Sequence, residues 1–316
     1  MKDQYGRTIE YLRLSITERC TLKCAYCRAD EGICPKRNEL SAADLIRIVR
    51  ATTQLGVNKV RLTGGEPMLR RDLLEIIAGV RAVGGIREIT MTTNAQHLPG
   101  QARALKAAGL DRLNISLDSL RPERYAEITG GGSLQKVLCG IDEALDAGFV
   151  PLKLNAVLLR GKNDDEADDF IALTKDRPIH MRFIEWMPLG ETDRSAERVT
   201  GAELLAARPY LIPVPPLYES QPSRDYQVEG YAGRVGFIDP VSHRFCERCN
   251  RVRVMSDGML RPCLGDNAEI SLRDALAESD DTALVETVRA AIWAKPCSHR
   301  FDEAFRPEKN MSRIGG

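Results

Sequence analysis

Six short runs of strand character recur at 11–16, 59–63, 87–92, 112–117, 151–158 and 179–185. Apolar-periodic helical stretches at 41–55, 71–83, 100–108, 133–147 and 164–175 alternate with them. This alternation constrains the fold more than any other feature. Strands separated by helices run parallel, and right-handed crossovers lay the helices on the sheet. Six units are fewer than the eight that close a full barrel. The sequence therefore predicts an α/β fold, an incomplete, TIM-like (β/α)6 barrel with a wide mouth. Ser41, with Asp44 three residues on, opens the first helix in the manner of a capping box.

Polar signatures sit at the C-terminal ends of these strands, the face where barrel enzymes carry their sites. Cys20, Cys24 and Cys27 follow the first strand in a C-x3-C-x2-C pattern with Tyr26 before the last thiol. Gly64-Gly65-Glu66-Pro67 follows the second and Thr92-Thr93-Asn94 the third. Ser116 and Asp118 end the fourth, and Glu185-Trp186-Met187 ends the sixth. Three thiols fall one short of the closed shell of a structural zinc site. On a [4Fe–4S] cluster they would leave one iron open. The glycines would let backbone approach a ligand closely.

Beyond residue 186 the alternation stops. We expect a core over 1–207 and a C-terminal region over 208–316. A Pro-rich stretch at 208–224 reads as an irregular connection, and Asp257-Gly258 reads as a hairpin turn. Short helices are expected at 270–277 and 281–294. A second thiol group, Cys246, Cys249 and Cys263, flanks the hairpin. Its spacing fits a zinc ribbon completed by His243, Cys297 or His299, and equally a second cluster with an open iron. Arg251 and Arg253, two apart, project to one strand face and suit phosphate or carboxylate. Alternatively, they guard an edge strand. The chain ends in Gly315-Gly316, bare enough to thread a narrow pocket.

Charge narrows the function classes. The sequence has 45 basic and 45 acidic residues, which argues against a general nucleic-acid binder but leaves room for a local basic pocket. No apolar run is long enough to span a membrane, and no signal peptide is visible, so the expectation is a cytoplasmic protein with free thiols. Cys139 is read as helix packing; Cys34 and Cys297 receive no role.

At Cys20–Cys27 the sequence resembles the radical S-adenosylmethionine (SAM) enzymes, whose open iron binds the amino and carboxylate groups of SAM. From LRLSITERC through RLTGGEP, MTTN, LNISLD, RFIEWMPLG and FCERCNRVRVMSDGMLRPCL to the final IGG, the chain resembles the GTP 3′,8-cyclases of molybdenum-cofactor biosynthesis. This resemblance implies a partial barrel whose mouth is covered by a region holding a second [4Fe–4S] cluster. It implies Cys20, Cys24 and Cys27 as ligands of the SAM cluster, and Cys246, Cys249 and Cys263 as ligands of the second. Tyr26, Gly65, Ser116 and Met187 match SAM-contacting positions. Arg13, Arg61, Thr92, Lys153, Arg251 and Arg253 match GTP-contacting positions. Arg13, Arg251, Arg253, Gly315 and Gly316 are expected to serve catalysis, the glycine tail entering the site.

The implied reaction begins with reductive cleavage of SAM to a 5′-deoxyadenosyl radical, which removes hydrogen from C3′ of GTP. Attack on C8 then gives (8S)-3′,8-cyclo-7,8-dihydroguanosine 5′-triphosphate. The resemblance also implies a flavodoxin- or ferredoxin-like electron donor. It makes cyclic pyranopterin monophosphate synthase the next enzyme, and a homodimer is left open. The chain departs from the family pattern at Cys34, at TTNA in place of TTNG, and across 208–235. A peptide-modifying radical SAM enzyme and a zinc-binding scaffold are the alternatives.

Overall fold

The computed structural model describes the chain except residues 28–37, 190–194, 302–304, 306–307 and 316. Cys34 and Gly316 therefore lie outside the described residues.

All six expected strands form, each within a residue of its predicted ends: β1 (Tyr11–Ser15), β2 (Lys59–Thr63), β3 (Glu88–Thr93), β4 (Arg112–Ser116), β5 (Leu152–Val157) and β6 (Ile179–Ile184). They lie side by side in chain order, every pair parallel. Alternation assigns the two faces. Leu12, Leu14, Val60, Leu62, Ile89, Met91, Leu113, Ile115, Leu154 and Met181 are buried in the apolar core. Each such side chain contributes roughly 1.5–3 kcal/mol on burial. The intervening residues, mostly polar and including Arg13, Lys59, Arg61, Arg112, Lys153 and Arg182, line a cavity.

Helices α1 (Ala42–Gln54), α2 (Leu73–Ala82), α3 (Ala102–Ala107), α4 (Pro122–Thr129), α5 (Leu134–Asp146) and α6 (Ala167–Ala172) accompany the strands. Ser41 caps α1 by accepting from the Asp44 amide at 3.1 Å. The reciprocal half of the expected box is replaced: the Ser41 hydroxyl donates to Asp44 Oδ2 at 2.7 Å. Sequence periodicity missed α4, a short helix with Pro122 in its first turn. Half-buried Cys139 lies on α5, its thiol toward Glu143.

The C-terminal segment does more than cover the mouth. It adds α7 (Gly201–Ala206), β7 (Ile212–Pro213), β8 (Arg224–Gln227), β9 (Arg234–Ile238), β10 (Arg251–Val254), β11 (Met259–Arg261), β12 (Ile270–Ser271), α8 (Arg273–Ala277), α9 (Thr282–Trp293) and α10 (Met311–Ile314). β10 joins the sheet parallel to β1, and β9 joins it parallel to β6. The parallel array thus reads β10-β1-β2-β3-β4-β5-β6-β9, two strands more than expected. Antiparallel strands extend both ends into one twelve-stranded sheet. The expected hairpin joins β10 to β11, with Gly258 in the left-handed region at φ 87°. No helix among the described residues is long and apolar enough to cross a membrane.

Candidate active site

Both thiol groups face one cavity at the C-terminal ends of the strands. The first motif is held by the others. Gly65 N–H donates to Thr17 O at 2.8 Å, and Glu66 N–H donates to Arg19 O at 2.7 Å. A Cβ on Gly64 or Gly65 would collide with the Thr17 or Arg19 carbonyl. The glycines therefore allow close approach to the run that leads into Cys20. Both glycines also line the cavity.

Glu66 continues the wiring. Its carboxylate accepts from the Thr93 hydroxyl at 2.7 Å, the Asn94 amide at 2.7 Å and the Met68 amide at 3.1 Å. Burial outweighs these bonds and raises its pKa to about 7. Asn94 Nδ2 in turn donates to Cys20 Sγ at 3.6 Å, and the Leu22 amide donates to the same sulfur at 3.4 Å. The Tyr26 hydroxyl donates to Asp118 Oδ2 at 2.7 Å, and the Val157 amide to Asp118 Oδ1 at 3.0 Å. The loop backbone also rests on α4: Lys23 and Ala25 N–H donate to Thr129 O and Ile128 O, each at 2.9 Å. Ser116 and Met187 line the cavity beside this loop.

The donor set fits an iron–sulfur cluster. Cys24 is pushed well above its usual pKa by burial, then by Asp118, Cys27 and Cys20. Three thiols close enough to repel one another as thiolates call for a cationic partner. A cubane takes one thiolate per iron corner, so its ligands surround a space. Among the described residues no three His, Cys, Asp or Glu converge on a single ion.

At the second group, the β10–β11 hairpin returns Cys263 toward Cys246 and Cys249. Burial raises Cys263 and Cys246. Burial also acts on Cys249, but Lys295, Arg251 and the Arg251 amide lower it to about 7. The zinc-ribbon completions do not assemble. His243 and Cys297 are exposed and lie off the cavity wall. His299 lines the cavity, but Nε2 lies 2.6 Å from Pro240 O and Nδ1 accepts from the Phe301 amide at 3.4 Å.

Deeper in the cavity the inward side chains include a group of cations. Arg253 (β10), Arg13 (β1) and Arg61 (β2) are register partners across three adjacent strands. Lys153 (β5) and Arg182 (β6) approach from the other side, and Thr92 lies between on β3. Burial, then Arg253 and Arg61, hold Arg13 well below its usual pKa. Burial and Arg61 bring Arg182 to about 10; burial and Arg251 bring Arg253 to about 10. Burial, Arg182 and Arg61 bring Lys153 to about 7. Arg13 Nε, Arg182 Nε and Thr92 Oγ1 are buried with no hydrogen-bond partner. Uncompensated buried charge of one sign is costly, which suits a site built for an anion. Arg251 lies on an interior strand, not an edge, and its Nη2 donates to Ser220 O at 3.2 Å.

Arg182 and Lys59 escaped the sequence reading. Both occupy inward positions of strands already recognised, so the two-residue period was the available signal. The tail reaches the same place. Gly315, buried at φ 81°, accepts from Arg253 Nη1 at 2.6 Å.

Residues 14–174 match the family model described as Radical SAM superfamily. With the partial barrel and its thiol loop, the match makes the chain a radical SAM enzyme. Residues 179–301 match the model described as Molybdenum Cofactor Synthesis C. The chain is 46% identical over 322 residues to GTP 3′,8-cyclase of Alkaliphilus oremlandii, covering 100% of both. It is 43% identical over 324 residues to that of Petrotoga mobilis, again over 100% of both. It belongs to the GTP 3′,8-cyclase family. Among solved structures, Streptococcus suis SuiB bound to S-adenosylmethionine shares the fold, with TM-score 0.58 and 16% identity over 97% of this chain and 69% of that one.

Proposed function

We propose that this chain converts GTP to (8S)-3′,8-cyclo-7,8-dihydroguanosine 5′-triphosphate, the first step of molybdenum-cofactor biosynthesis, using SAM and two [4Fe–4S] clusters. Family membership over the whole length supports this reading. The observation that carries it is one cavity joining two thiol triads to a cluster of buried cations that outnumber its carboxylates. Cys20, Cys24 and Cys27 would hold the SAM cluster; Cys246, Cys249 and Cys263 would hold the second. Held there, the clusters and SAM would supply one-electron radical chemistry, with the electron coming from an external donor.

The chain's own side chains bind and orient. Tyr26, Gly65, Ser116 and Met187 position SAM at the mouth. Arg13, Arg61, Lys153, Arg182, Arg251 and Arg253 bind the triphosphate, with Thr92 offering its free hydroxyl. Charge-assisted hydrogen bonds of this kind are worth about 1.5–3 kcal/mol each. Holding the ribose in one orientation converts a bimolecular encounter into an intramolecular one. Arg253 also grips the glycine tail, which keeps water from the cavity. In this reading residues 1–207 form the SAM-binding core and 208–316 the substrate-covering region. The enzyme works in the cytoplasm, receives electrons from a flavodoxin- or ferredoxin-like donor, and feeds the cyclic pyranopterin monophosphate synthase.

Anaerobic reconstitution should give about eight irons per chain. Incubation with SAM, GTP and dithionite should yield 5′-deoxyadenosine and a cyclised GTP isomer by mass spectrometry. SAM cleavage with unconverted GTP would reject the substrate and keep the class.

Lys153 gives a separate expectation. With its pKa lowered from 10.5 to about 7, it is mostly neutral at pH 8 in the free protein. A triphosphate favours the charged form, so binding takes up as much as one proton. Calorimetry at pH 8 in buffers of different ionisation enthalpy should report this uptake, and Lys153→Met should remove it. A heat of binding independent of buffer would contradict the placement. The same group makes stability rise with pH between about 7 and 10.5, where only the unfolded chain holds the proton.

A further inference from the structure

We propose that Lys295 is a positioning residue of the second cluster: its buried ammonium fixes the Cys263 loop and offsets the charge of the three thiolates, raising the cluster's reduction potential. The proposal rests on the reading that Cys246, Cys249 and Cys263 hold a cluster. Lys295 follows α9, whose Leu284, Val288, Ala291 and Ile292 are fully buried. The stem is therefore anchored in the core. Only 2% of the residue is exposed, yet among the described residues its ammonium bonds a carbonyl and no carboxylate. Its Nζ donates to Pro262 O at 2.7 Å, the residue before Cys263. An ammonium has three N–H donors, so two remain for other acceptors. It lines the cavity wall together with Cys246, Cys249 and Cys263.

The neighbouring cations are tied to other partners. Arg7 spends its guanidinium on Asp3 and on the carbonyls of Cys246, Pro296 and Cys297, at 2.6–3.0 Å. Arg253 holds the tail, and Arg251 faces Ser220. Reduction adds negative charge to a cluster already bound by three thiolates. A fixed cation nearby stabilises the reduced form, and net charge and hydrogen bonds to sulfur are the levers that set such potentials.

The test uses the full chain with Cys20, Cys24 and Cys27 changed to Ala, so that only the second cluster assembles. Potentials are measured by redox titration followed by electron paramagnetic resonance. In Lys295→Met the reduction constant should fall at least tenfold, about 59 mV more negative for a one-electron couple. Lys295→Arg, which keeps the charge, should stay within about threefold of the parent. A parent-like potential in Lys295→Met with full iron would overturn the proposal, as would an equal shift in both variants. If Lys295→Met loads no iron while Lys295→Arg loads about four, at unchanged melting temperature, the charge is needed for assembly and the proposal stands. Loss of iron and of stability in both variants would reduce Lys295 to a packing element. A parent that binds no cluster would instead refute the ligand reading itself.

Discussion

Gly315→Ala should lower cyclisation turnover about a hundredfold while both clusters load normally. Gly315 sits at φ 81°, where an L side chain costs roughly 1–2 kcal/mol. A Cβ there would also lie 2.6 Å from Thr63 Oγ1 and 3.1 Å from Ser15 Cβ. Ser15 and Thr63 are register partners at the ends of β1 and β2, so the Thr63 hydroxyl could only rotate and the Ser15 Cβ cannot retreat without opening the sheet. The tail must leave instead. Arg253 then loses its carbonyl acceptor inside the cavity, at a further cost of about 1–3 kcal/mol. Together these reach about 3 kcal/mol, which is two orders of magnitude in rate. The thiols are untouched, so an iron assay should read as in the parent. Quenched-flow turnover in Gly315→Ala equal to the parent's would show that the tail does no positioning. Deleting Gly315 and Gly316 should give the same loss without the steric term.

What the sequence disclosed follows from the range of each signal. β1 to β6 were legible because alternation and helix periodicity are local, and a βαβ frame leaves few topologies. Arg13, Arg61 and Lys153 were named through the family resemblance, and their inward positions agree with the same period of two. β9 and β10 were not recognised as parallel partners of β6 and β1, because each joins the sheet from a distant segment without a preceding β-α unit. The alternation in Arg251-Val252-Arg253-Val254 and the Asp257-Gly258 turn pointed to β10 as a hairpin strand, not to its place beside β1. The glycine pair was visible, but its partner was not: only coordinates could show that Gly64 and Gly65 abut Thr17 and Arg19. The bonds from Glu66 to Thr93 and Asn94, and from Asp118 to Tyr26, join motifs remote in sequence. The motifs at the strand ends thus also brace the Cys20–Cys27 loop.

Arg13→Met should make the substrate-free protein more stable and nearly blind to GTP. Arg13 is buried, its Nε has no partner, and its strand neighbours in register are Arg253 and Arg61. Burial and those two charges hold its pKa well below the ordinary range, so the folded state carries a net penalty at this position. Methionine keeps much of the length and removes both desolvation and repulsion. Replacing buried charge by apolar side chains of similar volume stabilises other proteins by about 1–4 kcal/mol. A gain at the lower end of that range corresponds to a few degrees in melting temperature. The same guanidinium would contribute about two charge-assisted bonds to the triphosphate, worth roughly 3–6 kcal/mol together. The Michaelis constant for GTP should therefore rise at least about a hundredfold. Scanning calorimetry with and without GTP separates the two effects. The parent should gain stability with GTP in proportion to the logarithm of ligand concentration; Arg13→Met should start higher and gain little. If Arg13→Met instead melts below the parent, the guanidinium is a structural strut and the cavity is not strained toward an anion. A higher melting temperature with lost affinity would locate the energetic cost of an empty cation cluster in the free protein, to be recovered only when the triphosphate arrives.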